Sequence, residues 1–407
     1  MSLAIYAETP PARLGESRRY QQIVTWCAAV FVFCGVISLV EPSPYDFASF
    51  VAIPLWFFGG FRVNRFLLAI TIFWLLWEAI HFIALTPHWD DSSSVLYQLQ
   101  SLYLAITVIF FTLFFAERTD VRLSVCLDAY TASAVMSGAI AIMSYLSLFG
   151  LQALITLEGR VAGTFKDPNV FGPYAVLGAC WLLHGVLLGR SRVLLVSLAC
   201  FAIILTGVFL SFSRGAWGAT TLSLVMTYCA VFVTAETPRL RRRIVLMGAA
   251  TIAVIAILLA IILAQDSIRE FFLMRAAVKQ DYDSERFGNQ LQSLHMLLEL
   301  PLGFGPLRFR EYFGLEPHNS YIGAFANAGW LGGFLWFLMV GSTTFVGFRL
   351  MFKPSPYRHY AQAVFPALFG ILLQGFQIDI DHWRFLYFDL GAIWGMEAAR
   401  RRWLSTR

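Results

Sequence analysis

The sequence predicts an all-α polytopic membrane protein with about twelve transmembrane helices and one large hydrophilic helical loop. Three observations predict it. Of the 407 residues, 58% are hydrophobic and 14% charged, whereas soluble domains carry roughly a quarter charged residues. Apolar runs close to the roughly 20 residues needed to cross about 30 Å of hydrocarbon recur about twelve times. Lys and Arg alternate between successive connections, as the positive-inside rule requires of a correct span count.

In order, the runs are 23–40, 47–60, 66–85, 95–116, 123–149, 170–188, 193–212, 216–234, 244–264, 320–350, 361–376 and 385–399, with the second and eleventh short. The polar, Arg-bearing residues 1–22 read as a cytoplasmic tail. The run after them ends at "EPSPYD" without a small-residue cleavage pattern, so it reads as a retained span. Arg62, Arg65, Arg118, Arg122, Arg190, Arg192, the run from Arg239 to Arg243 and the basic tail 400–407 fall on one side. That side holds about two thirds of the basic residues and both termini, and it is the cytoplasmic one. The chain 1–407 is a single membrane domain by this reading. No basic stripe interleaved with exposed aromatics suggests nucleic acid. All six cysteines lie in apolar stretches with no CxxC, which argues against disulfides and a zinc site.

Residues 265–317 form the one large hydrophilic loop, between the ninth and tenth spans on the extracytoplasmic side. Phe287, Leu291, Leu294 and Leu298 recur at helical spacing, with Asp283 or Ser284 as N-cap and a stop before Pro301. Upstream, "DSIREFFLMRAAVKQ" reads as a second amphipathic helix lying on the membrane surface.

The outer face should be poor in arginine, yet several stand there at the mouths of spans. Arg160 lies in "EGRVAGTFKDPNVFGPY", Arg214 in "LSFSRGAWGA", Arg286 at the start of the loop helix, and His318 with Asn319 at the start of the tenth span. Guanidinium forks suit phosphate oxygens, so four separate loops point to a shared anionic ligand. Each arginine taken alone also fits an interfacial anchor. Lys166 could meet a phosphate or solvent; Pro168, Asn169 and Gly172 fit a structural turn, with Asn169 as N-cap of the sixth span.

His318 has three readings: an interfacial hydrogen-bonder, a metal ligand or a general base. No HExxH and no second histidine at ligand spacing supports the metal reading. Asn319 is either the helix N-cap or a holder of His318. Glu78 and His81, one turn apart, read as a pair with each other or with an outer arginine; Asp128 reads as structural. "QIDIDHWR", with Asp379, Asp381, His382 and Arg384, is placed to line the same cavity as His318. Otherwise the span centres read as almost free of charge, which disfavours a secondary transporter or a flippase for lipid-linked glycans.

The four stretches "GRVAGTFKDPNVFGPY", "LSFSRGAWGA", "ERFGNQLQSLHMLLELPLGFGPLRF" and "PHNSYIGAFANAGWLGG" resemble, in order and spacing, the blocks of the O-antigen ligase/polymerase superfamily. The resemblance covers roughly 159–333. It implies a GT-C-like, inverting, metal-independent glycosyltransferase of the bacterial inner membrane, without cofactor and with its active site facing the periplasm. The implied donor is a glycan on undecaprenyl pyrophosphate. The implied acceptor is a hydroxyl of lipid A-core for a ligase, or a second lipid-linked repeat for an O-antigen or exopolysaccharide polymerase. Carried over by motif, Arg214 and Arg286 bind the pyrophosphate, Arg160 and Lys166 assist, and His318 activates the acceptor. Asn319, Asn169, Glu78, Asp381 and Arg384 are supporting residues in this scheme. "FKDPNVFG" is longer than the turn of ordinary ligases and leaves the acceptor open.

Overall fold

The computed structural model describes residues 17–155, 159–191, 193–276 and 283–406. Among them all regular structure is helical, apart from one isolated bridge between Ile155 and Val161. The helices are α1 (Arg18–Cys34), α2 (Pro44–Phe58), α3 (Arg65–Leu85), α4 (Ser92–Ala116), α5 (Thr119–Tyr145), α6 (Pro168–Leu188) and α7 (Leu194–Leu210). They continue with α8 (Arg214–Val233), α9 (Pro238–Leu263), α10 (Asp266–Ala276), α11 (Asp283–Glu299), α12 (Phe309–Phe313), α13 (Ser320–Phe352), α14 (Arg358–Gln374) and α15 (Arg384–Ser405).

Each of the twelve apolar runs therefore lies on a helix. Among the described residues, seven helical segments are long and apolar enough to cross a membrane: those of α3, α4, α5, α6, α8, α9 and α13. The others are limited by length or by charge. α2 has 15 residues and α1, α7 and α14 have 17 each, against the roughly 20 that a hydrocarbon core asks for. α15 has 22, but Asp389, Glu397 and Arg400 to Arg402 interrupt its apolar character. Arg18 to Gln22, read from sequence as tail, already belong to α1, and Arg400 to Ser405 continue α15.

Large apolar side chains point outward along the bundle, among them Phe50, Ile72, Leu75, Ile252 and Ile261, as expected where the solvent is lipid. Inside, close helix contacts rest on small residues. A Cβ on Gly391 would lie 2.4 Å from the Phe111 Cβ, and one on Gly395 2.6 Å from that of Phe115, so α15 packs backbone-close along α4. Gly172 does the same for α6 against Ala216 of α8. That contact brings together the two turns that carry Asn169 and Arg214.

α13, the longest run in the sequence, is not one helix. Ala328 (φ −141°, ψ 19°) and Gly329 (φ 63°, ψ −159°) break it. The carbonyl of Ala326, freed by the break, accepts from the amides of Phe304 (2.7 Å) and Gly305 (3.1 Å), and Trp330 donates its amide to the Pro301 carbonyl at 3.0 Å. The turn "PLGFG" thus satisfies the groups that the break would orphan. A Cβ on Gly329 would stand 2.0 Å from the Pro301 carbonyl, which admits no other residue there.

The loop between spans contains the expected helices, α10 and α11, and α11 stops at Glu299 before Pro301. The N-cap of α11 lies outside the described residues. Phe287, Leu291, Leu294 and Leu298 face away from the protein, while Gln290, Ser293 and Leu297 are buried. α10 docks Phe271 on Phe212 (ring centroids 4.6 Å apart) and Phe272 on Phe209 and Trp217.

Candidate active site

His318 stands at the mouth of α13, and its position is fixed through its backbone. The amides of His318 and Asn319 donate to the two oxygens of Asp379, at 3.1 and 3.0 Å. His318 takes φ 46° to make this possible, a left-handed conformation that costs a non-glycine residue about 1 kcal/mol. The imidazole Nδ1 lies 3.4 Å from Asp379 Oδ2, and 47% of the side chain is exposed. Asn319 is the N-cap: its Oδ1 accepts from the amides of Tyr321 (3.0 Å) and Ile322 (3.2 Å). Ser320 completes the anchor. Its amide donates to the Gly375 carbonyl at 2.7 Å, and its hydroxyl accepts from the Ile380 amide at 2.6 Å. The segment after α14 is therefore the cradle in which the His318 turn rests.

The same end of α14 meets the start of α8. A Cβ on Gly215 would lie 3.6 Å from Gln374 Nε2 and 3.7 Å from Gln377 Oε1. Arg214, half-buried, is the first residue of α8, whose N-cap Ser213 accepts from the Ala216 amide. Phe212, fully buried at φ 46°, makes the turn sharp.

Arg160 braces this turn from behind. Its Nε donates to the Ser211 carbonyl at 3.0 Å and its Nη2 to Asn169 Oδ1 at 2.7 Å, with 6% of the residue exposed. Asn169 is therefore not the cap of α6. Asp167 is, its Oδ1 accepting the Asn169 amide at 2.7 Å, because the Asn169 amide oxygen is already committed to Arg160. Lys166 sits on the surface, paired with Glu41 at 3.0 Å.

α11 closes the other flank. Gln290 Nε2 donates to the Pro317 carbonyl at 2.7 Å, immediately before His318. Position 286 lies one turn earlier in the same helix; the side chain of Arg286 lies outside the described residues. Glu316 is half-buried next to this block. Burial, and after it the neighbouring Asp379 carboxylate, push its pKa from 4.5 to about 7.

Residues 198–337 match the family model described as O-antigen ligase. This match supports the O-antigen ligase-like superfamily. It spans Arg214, Arg286 and His318, while the block with Arg160 and Asn169 precedes it. With the apolar helices, it supports an O-antigen ligase/polymerase-like membrane enzyme. No curated protein and no solved structure matches the chain.

The remaining candidates spend their polar atoms on partners other than the His318 imidazole. Glu78 is buried in α3 and accepts from Gln98 Nε2 (2.7 Å) and Ser101 Oγ (3.0 Å) of α4. It does not pair with His81, whose Nδ1 meets the Trp77 carbonyl at 2.9 Å. At i+3 the two side chains share a face, but α4 offers Glu78 closer donors. Asp381 binds the Tyr97 hydroxyl and His382 Nδ1 (3.1 Å). Burial alone would raise the Asp381 carboxyl; the bonds from His382 and Tyr97 outweigh it and hold it below the ordinary range. Arg384 pairs with Asp46 of α2 at 3.0 Å.

Two groups, Glu316 and Asp389, escaped the sequence reading, and a third, Asp379, was named only as lining the cavity. Asp379, not Asp381, reaches His318; "IDID" offers two equivalent carboxylates, and only the chain path after α14 chooses between them. Glu316 adjoins His318 in sequence and could have been flagged by that proximity alone. Asp389, fully buried in α15, shows that the helix interiors hold more ionisable side chains than expected.

Proposed function

We propose that the protein transfers a glycan from an undecaprenyl-pyrophosphate donor to an acceptor hydroxyl on the periplasmic side of the bacterial inner membrane, as an inverting, metal-independent enzyme of O-antigen ligase type. The observation that carries the proposal is the exposed imidazole of His318, clamped by Asp379 at the end of α14 where the Arg214 turn also packs.

His318 takes the proton of the acceptor hydroxyl as the oxygen attacks the anomeric carbon. The bond from that carbon to the pyrophosphate breaks, and undecaprenyl pyrophosphate leaves with the electron pair. With Nδ1 turned to Asp379, Nε2 is the nitrogen that receives the proton. Negative charge grows on the leaving oxygen, and Arg214 and Arg286 stabilise it there more than in the ground state. Arg160 acts through the backbone of the Arg214 turn. Asn319, Asn169 and Asp379 hold the geometry.

Purified protein with lipid-linked donor should lose transfer in Arg214→Ala, Arg286→Ala and His318→Ala while inserting normally; full activity in all three would sink the mechanism. Deleting the gene separates the acceptors. Loss of a ligase leaves donor-linked polymer, and loss of a polymerase leaves single repeats.

A further inference from the structure

The end of the bundle away from His318 holds a cavity that the glycosyl-transfer reading does not use. His318, Asp379 and Arg384 lie where α13 begins, α14 ends and α15 begins. The cavity, of about 600 Å³, is lined by Tyr357 between α13 and α14, by Arg402 near the end of α15, and by residues of α1 and the α4–α5 connection. By helix direction these are the opposite ends.

Three guanidinium groups from three elements line it: Arg18 opens α1, Arg118 immediately precedes α5, and Arg402 belongs to the last turns of α15. A fourth stands behind the wall. Arg122 is 1% exposed and donates to Gln21, a lining residue, at 2.7 Å, while its buried Nε has no hydrogen-bond partner among the described residues. Arg402 spends one nitrogen on the Ala116 carbonyl. Among the described residues Asp120 is the single carboxylate on the wall, against three arginines, so the lining they form carries a positive excess. Arg118 holds φ 48° at this spot, and the amino ends of α1 and α5 both open here, adding partial positive charge.

The charge alone would suit any phosphate. The rest of the wall narrows the choice, because Trp26, Val121 and Val125 carry it outward onto the apolar flank of the bundle, where Trp26 and Val121 are largely exposed. A ligand filling both parts needs an anionic head joined to hydrocarbon. Basic pockets between transmembrane helices on the cytoplasmic side take such head groups, and this volume is in the range that holds one.

We infer that the Arg18/Arg118/Arg402 cavity binds the phosphate of an anionic phospholipid, with an acyl chain laid along Trp26 and Val121. The inference is independent of the chemistry at His318.

Native mass spectrometry of the full-length protein in detergent, with phosphatidylglycerol and phosphatidylcholine of equal chain length in competition, tests it. Phosphatidylglycerol should be retained at least about tenfold over phosphatidylcholine. Each arginine should contribute up to about fivefold to that ratio, so Arg18→Gln/Arg118→Gln/Arg402→Gln should bring it near one, with glycosyl transfer retained. If the triple variant is poorly folded, Arg118→Gln alone should lower the ratio about fivefold and the heat stabilisation by phosphatidylglycerol with it. No preference in the intact protein would overturn the proposal, as would an undiminished preference in the variants. Displacement of phosphatidylglycerol by millimolar inorganic phosphate would show a simple anion site and overturn the lipid assignment.

Discussion

The His318 turn and the Arg160 turn lie at the same end of the bundle, and both come from stretches that resemble one family, yet the protein holds them in opposite ways. His318 is fixed by its backbone: Asp379 takes its amide and the next one, leaving the ring half exposed. Arg160 is fixed by its side chain, with Nε and Nη2 committed to Ser211 and Asn169 inside the protein. On the proposed mechanism the group that reacts is positioned without its ring being buried, and the group that braces is consumed in bracing. The sequence reading already set His318 to activate the acceptor and Arg160 to assist, and the structure adds how differently each is held.

The sharpest break of this comparison is His318→Gln. It keeps both backbone bonds to Asp379 and removes the base, so transfer should fall about 10³-fold with the melting temperature within about 2 °C of the parent. Coincident losses of activity and stability would show that the ring is structural. Asp379→Asn comes next. It retains size but loses the charge near Nδ1 and places an N–H donor against one of two backbone donors. kcat should fall about 30-fold, with KM little changed because no donor contact is removed. A rise in KM alone would argue that Asp379 serves substrate binding.

Arg160→Gln should do the reverse of His318→Gln. The Ser211 carbonyl and Asn169 lose a buried charged partner, at a cost of about 2–4 kcal/mol, seen as a lower melting temperature, with activity falling only about tenfold through the loosened Arg214 turn. Against Asn169→Ala in a double-mutant cycle, Arg160 should show a coupling of about 1–2 kcal/mol. Additive effects would mean that the 2.7 Å bond contributes little. Lys166→Ala is the control: its exposed pair with Glu41 should be worth less than about 1 kcal/mol.

The sequence was most legible where one property decides the outcome. Hydropathy alone set the runs, and each proved to be on a helix; Asn319 caps α13 because its short side chain reaches the next amides wherever the helix begins. It was least legible where partners come from far away. The Glu78 carboxylate found Gln98 and Ser101 rather than His81, and Arg384 found Asp46, 338 residues earlier. Periodicity cannot rank such donors. The break at Ala328–Gly329 was hidden for another reason, since small apolar residues score as helix interior whatever their φ and ψ. Only the excess length of the run hinted at it. The outward leucines of α11 show the converse: spacing gave a striped helix correctly, but not which stripe faces the protein, and in a membrane enzyme the polar one can.

Glu316 offers the finest test of how the His318 turn is kept fit for an anion. Its carboxyl titrates at about 7 in the fold against 4.5 ordinarily, so it is protonated in the folded protein at pH 6 where an unfolded chain would be ionised. Stability therefore falls as pH rises from about 4.5 to 7 and is level beyond. Glu316→Gln should remove that slope and be more stable than the parent at pH 8 by about 1–2 kcal/mol, allowing for partial exposure. For function, the ionised form adds a third carboxylate to Asp379 and Asp381 beside a donor that is itself negative. KM for the lipid-linked donor should thus rise about threefold between pH 6 and 8 in the parent and stay flat in Glu316→Gln. An unchanged rise in the variant would place the repulsion elsewhere and leave Glu316 with a structural role only.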